Sequence, residues 1–292
     1  MTTTTRDERD AKVREAHDIL AAGVKNLLGS EQWMQWMDFA ASMSRHHRYS
    51  FNNMMLIWIQ RPTATHCASY TQWGKDKRQV MKGERGLSIF APIIIKTTPE
   101  ERARNPHLGA TKLVGFKVVK TFDISQTDGP DVPTPPAAPK EKDGDAPRWL
   151  FDQMVQIASD NGFTVEFKDI PQTDGGLMSH YEKKIWIQRG MTQARTVKAL
   201  FHEVAHMFLH GPSVDGEGNP VPPPACRAEA EVEAESVSFI LAKYYEIVPD
   251  CEFALSYVAG WASRDPEAVT RSGNRVMQTV NKILKVTDPE AK

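Results

Sequence analysis

Cysteine is scarce in this chain, with three residues among 292. Cys67, Cys226 and Cys251 are widely spaced, odd in number and form no CxxC pair. A disulfide framework needs paired cysteines, and a cysteine zinc site needs closely spaced ones, so neither is expected here. The composition fits a reducing compartment best.

Long apolar runs are also lacking. The longest, MMLIWI and IFAPIII, have the length of a strand or a short helix, whereas a membrane-spanning helix needs about 20 apolar residues. The N-terminal sequence MTTTTRDERDAKVREA has no apolar core of the kind found in secretory signals. We therefore expect a soluble cytoplasmic protein without a membrane partner.

The net charge of −1 hides an uneven distribution. Residues 1–130 hold 19 Lys and Arg against 13 Asp and Glu, a balance of +6, and the remainder holds 17 against 24, a balance of −7. The chain is 40% hydrophobic and 25% charged, which is typical of a globular protein with a substantial core. A basic part followed by an acidic part predicts two modules with different partners.

The segment 127–147 contains six prolines and little to bury, which is typical of a linker. It divides the chain into a domain at 1–126, in which helices precede strands, and a domain at 148–292. In the second domain, strands are predicted at 164–170 and 179–188 and long helices at about 192–210 and 226–247. The predicted fold class is α+β with two domains.

An HExxH motif, His202 to His206, lies within an apolar segment predicted to be helical. Residues i and i+4 of a helix lie on one face, so both imidazoles can bind a single ion. Zn²⁺ accepts imidazole nitrogen and can keep an open position for water. Glu203 is then placed to accept a proton from that water. We predict a metal site with His202 and His206 as ligands and Glu203 as the catalytic base; another divalent metal is the alternative to zinc.

The third metal ligand is expected on the following helix, where four glutamates are crowded together. Glu233 lies on a stripe of residues that is otherwise mostly apolar, and a buried carboxylate requires a cation. Glu229, one turn earlier, is the alternative. His210 shares a straight helix with the other two histidines and is expected outside the ligand set. The prediction is Glu233.

The segment 45–96 has nine Lys and Arg against two acidic residues, with aromatic residues interleaved. Basic side chains neutralise phosphates, and aromatic faces stack on unpaired bases, so nucleic-acid binding is one interpretation of this segment. Trp58 lies inside an apolar run and is expected in the core, whereas Trp73 borders a basic turn and is expected to stack on a base. The candidate DNA-binding residues are Arg45, Arg48, Tyr49, Asn53, Trp73, Lys75, Lys82 and Arg85.

Several motifs occur together in an order that resembles ArdC-type antirestriction proteins. They are a "YS-x-x-N" turn at 49–53, Trp73, "V-x-K-G-E-x-G" at 80–86, Pro92 and "F-D-x-x-Q-T" at 122–127. The HExxH module and the SYVAGW segment resemble that family's C-terminal domain. With the HExxH site, the resemblance implies an N-terminal α+β nucleic-acid-binding domain that binds single-stranded DNA and a C-terminal zincin-like, gluzincin-type zinc metallopeptidase-like domain. It further implies carriage on conjugative plasmids and protection of incoming DNA from restriction.

Two other functions stay open at the level of sequence. One is a regulatory zinc metalloprotease that cleaves a specific protein partner and uses DNA as a locator. The other is a DNA-binding protein whose metal site is purely structural. Glu203 separates them, because it is needed for hydrolysis but is not a metal ligand.

Overall fold

The computed structural model describes residues 6–27, 29–44, 49–105, 109–132, 146–171, 175–211, 227–247 and 266–288. It combines helices with antiparallel sheets and one mixed sheet, which confirms the predicted α+β class. The chain forms two compact units: an N-terminal unit of Met1–Gly23 and Met55–Pro130, and a C-terminal unit of Val24–Met54 and Asp131–Lys292. This division differs from the predicted boundaries, because residues 24–54 belong to the C-terminal unit.

The N-terminal unit combines short helices with a small antiparallel sheet, and the unit boundaries fall within α1 and α3. Its helices are α1 (Arg6–Asn26), α3 (Phe51–Gln60), α4 (Tyr70–Lys75) and α5 (Pro99–Arg104), and a 3-10 turn covers Ile124–Gln126. Its strands are β1 (Cys67–Ser69), β2 (Gln79–Val80), β3 (Leu87–Lys96), β4 (Thr111–Asp123) and β5 (Thr127–Asp128).

Strand β4 is the centre of the main sheet, with β1 and β3 paired antiparallel on its two sides. The β3–β4 pairing runs from Leu87 opposite Thr121 to Lys96 opposite Thr111, a length well beyond that of β1. Phe90 lies at the base of this hairpin and packs against the ring of His17. The core of the unit is therefore at the base of the hairpin.

The turn after β4 is held by a dense set of hydrogen bonds. Asp123 accepts bonds from the backbone nitrogens of Thr65 and His66 at 2.8 and 3.1 Å. The side chain of Gln126 accepts from the Asp123 nitrogen at 3.0 Å and donates to Glu84 at 2.8 Å. The motif segments 80–86 and 122–127 are thus hydrogen-bonded to each other, so these polar residues have a structural role.

The C-terminal unit consists of helices packed on one face of a three-stranded sheet. Besides residues of α1 and α3, its helices are α2 (Ser30–Ser44), α6 (Arg148–Asp160), α7 (Gln193–Leu209), α8 (Arg227–Tyr244) and α9 (Pro266–Thr287). Its strands are β6 (Thr164–Lys168), β7 (Gly176–Ser179) and β8 (Lys184–Gln188). The predicted single strand at 179–188 is instead the end of β7, a turn, and β8, and β8 is the central strand of the sheet order β6-β8-β7.

Helix α8 lies at the centre of the C-terminal unit and packs against α7, α9 and α2. Helix α2 joins this unit because its apolar face is fully buried there: Trp33 and Trp36 are both 0% exposed. The indole nitrogen of Trp33 donates to Ser236 of α8 at 2.9 Å. Within the described ranges, the structure contains no helix long and apolar enough to cross a membrane.

Candidate functional site

Helix α7 places the two histidines of the HExxH motif side by side. The helix begins after Thr192, whose side chain accepts a hydrogen bond from the Arg195 nitrogen, and its apolar residues are buried against the rest of the unit. The Nε2 atoms of His202 and His206 lie 3.0 Å apart. The predicted pairing of these two imidazoles is therefore present in the structure.

A carboxylate from α8 completes this group, and it belongs to Glu231. One Glu231 oxygen lies 3.4 Å from His202 Nε2 and 3.6 Å from His206 Nε2. Its side chain is 38% exposed, so the group opens to solvent on this side. Hydrogen bonds with the two histidines hold the pKa of Glu231 well below its usual range. Together, His202, His206 and Glu231 form a three-residue group with the composition of a metal site.

Glu203 is buried beside this group. Burial raises its pKa to about 7, with a further contribution from the charge of Glu231 and opposition from that of His202. Its side chain lies against β7, where a Cβ atom on Gly176 would come within 2.7 Å of Glu203 Cγ and 2.9 Å of the Trp186 carbonyl oxygen. Glycine at position 176 thus leaves the space that the Glu203 side chain occupies.

His202 has a second carboxylate neighbour on the side away from the group. Its Nδ1 lies 3.2 Å from Glu235, and Lys198 donates to the other oxygen of that carboxylate at 3.1 Å. Glu231 and Glu235 are four residues apart and therefore face α7 together. The sequence prediction did not identify either glutamate. Their i, i+4 spacing was the available signal, but Glu229 and Glu233 have the same spacing.

Glu233 does not join the group, contrary to its predicted placement. It is fully buried, as its helical stripe predicted. Its carboxylate instead accepts a hydrogen bond from Arg275 of α9 at 2.9 Å and lies 3.1 Å from His210. Arg275 also donates to Glu229, the alternative ligand, at 2.9 Å. The cation that a buried Glu233 requires is therefore supplied by a guanidinium.

Comparison with known proteins agrees with this architecture. Residues 17–124 match the family model of the N-terminal domain of anti-restriction factor ArdC. The chain is also similar to two crystal structures of the antirestriction ArdC protein from R388 plasmid, one metal-free and one Mn(II)-bound, each at 16% identity. Their TM-scores are 0.57 and 0.56, over 93% and 92% of this chain and 98% of the R388 chain. The chain has the fold of ArdC over nearly its whole length.

A relative among curated proteins is the uncharacterized protein pXO2-81 of Bacillus anthracis, at 24% identity. The alignment covers 97% of this chain and 52% of the relative. The chain thus spans about half the length of the curated relative that it matches.

The predicted DNA-binding residues of this chain fall into three groups. Lys75, Lys82 and Arg85 are exposed. Tyr49 and Trp73 are buried and Asn53 is half-buried. The remaining two, Arg45 and Arg48, lie outside the described residues. The exposed cations stay candidates for phosphate contacts, whereas neither buried ring offers a face on which a base can stack.

Trp73 is a core residue, contrary to its predicted place on the DNA-binding surface. Its side chain is 0% exposed, its indole nitrogen donates to the Phe122 carbonyl at 2.9 Å, and its ring packs 4.8 Å from that of His66. Trp58, expected in the core, is half-buried. The basic segment around position 73 therefore surrounds a structural indole.

We expect Trp73→Ala to lower the free energy of unfolding by about 3–5 kcal/mol, because it empties a filled site and removes a buried hydrogen bond. Chemical denaturation followed by circular dichroism measures this loss. Trp58→Ala is the matched control and should cost clearly less, since part of its ring is already in water. Equal stability of the Trp73→Ala variant and the parent chain would show that Trp73 is not a core residue.

Proposed function

We propose that this chain is an antirestriction protein that binds single-stranded DNA and holds one divalent metal ion at His202, His206 and Glu231. The observation that carries the proposal is the combination of an ArdC N-terminal domain match with an ArdC-like fold over 93% of the chain. The role would be to protect incoming plasmid or other mobile DNA from restriction. The N-terminal unit would supply DNA binding, and the C-terminal unit the metal site.

The metal part of the proposal is supported by the donor atoms themselves. In a tetrahedral zinc site, ligands at 2.0–2.1 Å from the ion are roughly 3.3 Å from one another. The three donor atoms here are separated by 3.0, 3.4 and 3.6 Å. Two imidazole nitrogens and a carboxylate oxygen also suit Zn²⁺ and Mn²⁺ chemically. Glu231 replaces the predicted Glu233 in this ligand set, since Glu233 is already paired with Arg275.

A peptidase activity of this site is the second candidate function, and Glu203 favours it. A divalent ion held by the three residues would make a bound water a stronger acid. Glu203 has its pKa raised to about 7, which suits a group that accepts and returns a proton near neutral pH. Strand β7, against which Glu203 packs, is an edge strand of its sheet. A protein substrate is thus a proposed partner, secondary to DNA.

The DNA part of the proposal is supported by exposed cations on an anchored turn. Lys82 directly precedes Gly83, and Arg85 is the second residue after it. Gly83 adopts a positive φ of 93°, which favours glycine. Gln126 holds this turn by donating to Glu84 and to the Arg85 carbonyl at 2.8 and 2.9 Å. The turn therefore presents positive charge from a fixed backbone, which suits contact with a phosphate chain.

We expect the intact chain to bind single-stranded DNA without strong sequence preference and with an affinity that falls with salt. Replacing Lys75, Lys82 and Arg85 together with alanine should reduce the slope of log affinity against log salt by about 2, because each phosphate contact on a single strand contributes about 0.7. Fluorescence anisotropy with an unstructured oligonucleotide, repeated across a salt series, measures both quantities.

Three exposed cations of α1 provide the matched control for this measurement: Arg6, Lys12 and Arg14. Their replacement with alanine removes the same charge from a helix that also carries acidic residues, and it should leave the slope nearly unchanged. Equal slopes for the two triple variants would exclude the anchored turn as the DNA contact. Salt-independent binding by the parent chain would contradict the DNA proposal as a whole.

A further inference from the structure

A third histidine, His210, lies directly behind His206. It belongs to a hydrogen-bonded chain of polar side chains. His206 Nδ1 is 2.8 Å from His210 Nδ1, and His210 Nε2 is 3.1 Å from one Glu233 oxygen. The other Glu233 oxygen accepts from Arg275 Nε at 2.9 Å. The chain Arg275–Glu233–His210–His206 thus connects α9, α8 and α7. Its inner end is the atom opposite the proposed metal-binding nitrogen of His206.

The proton positions along this chain follow from its outer end. A guanidinium has donors and no acceptor, and an ionised carboxylate has acceptors and no donor. The Glu233 carboxylate forms an ion pair with Arg275 and accepts from His210 as well, which places the His210 proton on Nε2. The Nδ1 of His210 is then an acceptor, so His206 must carry its own proton on Nδ1. His206 Nε2 is left with a lone pair that faces His202 Nε2 at 3.0 Å.

His202, the other histidine of the proposed metal site, is held in the same tautomer by a single carboxylate. His202 Nδ1 faces Glu235 at 3.2 Å, and Glu235 is itself held by Lys198 at 3.1 Å. This carboxylate favours the proton of His202 on Nδ1. With an ion bound, both imidazoles would present their Nε2 lone pairs to the same point as the Glu231 oxygen. For His206 the carboxylate is that of Glu233, which acts through the imidazole of His210.

We propose that Arg275, Glu233 and His210 are positioning residues that select the metal-binding tautomer of His206. This proposal rests on the metal site proposed above. Residues that hold a metal-bound histidine typically contribute about 10–100-fold to metal affinity, because they fix both the proton and the ring orientation. Glu233 is thus assigned to the site as the group that orients a ligand, without binding the ion itself.

The substitution Glu233→Gln tests this chain with almost no change in shape. Arg275 donates only, so it must keep the amide oxygen, and the amide NH₂ must then face His210 Nε2. This reverses the His210 tautomer and sets its Nδ1–H against the Nδ1–H of His206. Metal affinity, measured by competition with a chromophoric chelator for Zn²⁺ and for Mn²⁺, should fall by about 10–100-fold. Glu229→Gln is the matched control, since Glu229 meets the same Arg275 but serves Ser272 instead of a histidine.

A second measurement needs no substitution and no metal. In ¹⁵N-histidine-labelled parent protein without metal, long-range ¹H–¹⁵N spectra should show His206 protonated on Nδ1 and His210 on Nε2. In Glu233→Gln, the His210 proton should move to Nδ1. A His206 protonated on Nε2 in the parent protein would overturn the inference, even if the variant failed to fold.

The two measurements keep this inference separate from the proposed metal site. If the parent protein binds metal while Glu233→Gln binds it equally well with unchanged tautomers, the positioning chain is wrong and the metal site stands. If the parent protein shows the expected tautomers but takes up neither Zn²⁺ nor Mn²⁺, the proposal of a metal site is wrong. The positioning role assigned to Arg275, Glu233 and His210 is then wrong as well. Loss of affinity together with a reversed His210 tautomer supports the inference.

Discussion

Replacing Glu231 with alanine should lower the affinity of the chain for Zn²⁺ or Mn²⁺ by more than about 100-fold. A directly bound ligand contributes more than the surrounding residues, which themselves contribute about 10–100-fold. Glu231 is the carboxylate within 3.4 and 3.6 Å of the two Nε2 atoms. Competition with a chelator of known affinity measures the loss, and metal analysis of the purified protein gives the stoichiometry.

Arg227→Ala is the control for this variant. Arg227 lies near the same Glu231 carboxylate from the preceding turn of α8 and is 93% exposed, so its removal should leave the metal bound. Undiminished affinity of the Glu231→Ala protein, at a thermal stability equal to that of the parent, would remove Glu231 from the ligand set. The effect of Glu231→Ala should also exceed that of Glu233→Gln, because the second acts through His210 alone.

Replacing Glu203 with glutamine should leave the metal bound and abolish any peptide hydrolysis. The amide cannot accept a proton from a metal-bound water, and the loss of such a general base typically costs about 10²–10⁴-fold in rate. The substitution preserves the size of the side chain against Gly176 and Trp186. Hydrolysis of an unstructured protein such as casein by metal-loaded parent and variant, with metal content measured in parallel, makes the comparison.

Protection of DNA in cells then separates the candidate functions. If antirestriction requires hydrolysis, a plasmid transferred together with the Glu203→Gln protein should enter a restricting host as rarely as a plasmid transferred without any such protein. If the metal has a structural or DNA-related role, the variant should protect as well as the parent does. Absence of hydrolysis by the fully metallated parent protein would contradict the peptidase candidate and leave the DNA-binding proposal standing.

The sequence predicted the fold class and the elements around the HExxH motif because those features are local. A helical period of apolar residues sets the buried face of α7, and the i, i+4 spacing alone brings His202 and His206 together. The burial of Glu233 was predicted correctly for the same reason. Its partner was not, because Arg275 lies 42 residues further along the chain and meets Glu233 only through the packing of α9 on α8.

The roles of the two tryptophans could not be predicted from their neighbours in the sequence. Basic residues surround Trp73 in the chain, but α4 turns its ring inward, towards His66 and the carbonyl of Phe122. The proposed ligand Glu231 escaped prediction for a related reason. The helical stripe of apolar residues favoured a fully buried carboxylate, whereas the group of His202, His206 and Glu231 opens to solvent and its carboxylate is partly exposed.

Helix α8 sorts its acidic residues by face: Glu229 and Glu233 meet Arg275, and Glu231 and Glu235 meet the histidines and Lys198. The deepest negative charge is thus neutralised by a resident side chain, unlike in small zinc domains that unfold when the ion is removed. Substitutions among the residues of the proposed metal site therefore leave this buried pairing in place. Selection on the proposed metal chemistry is to that extent separable from selection on the scaffold.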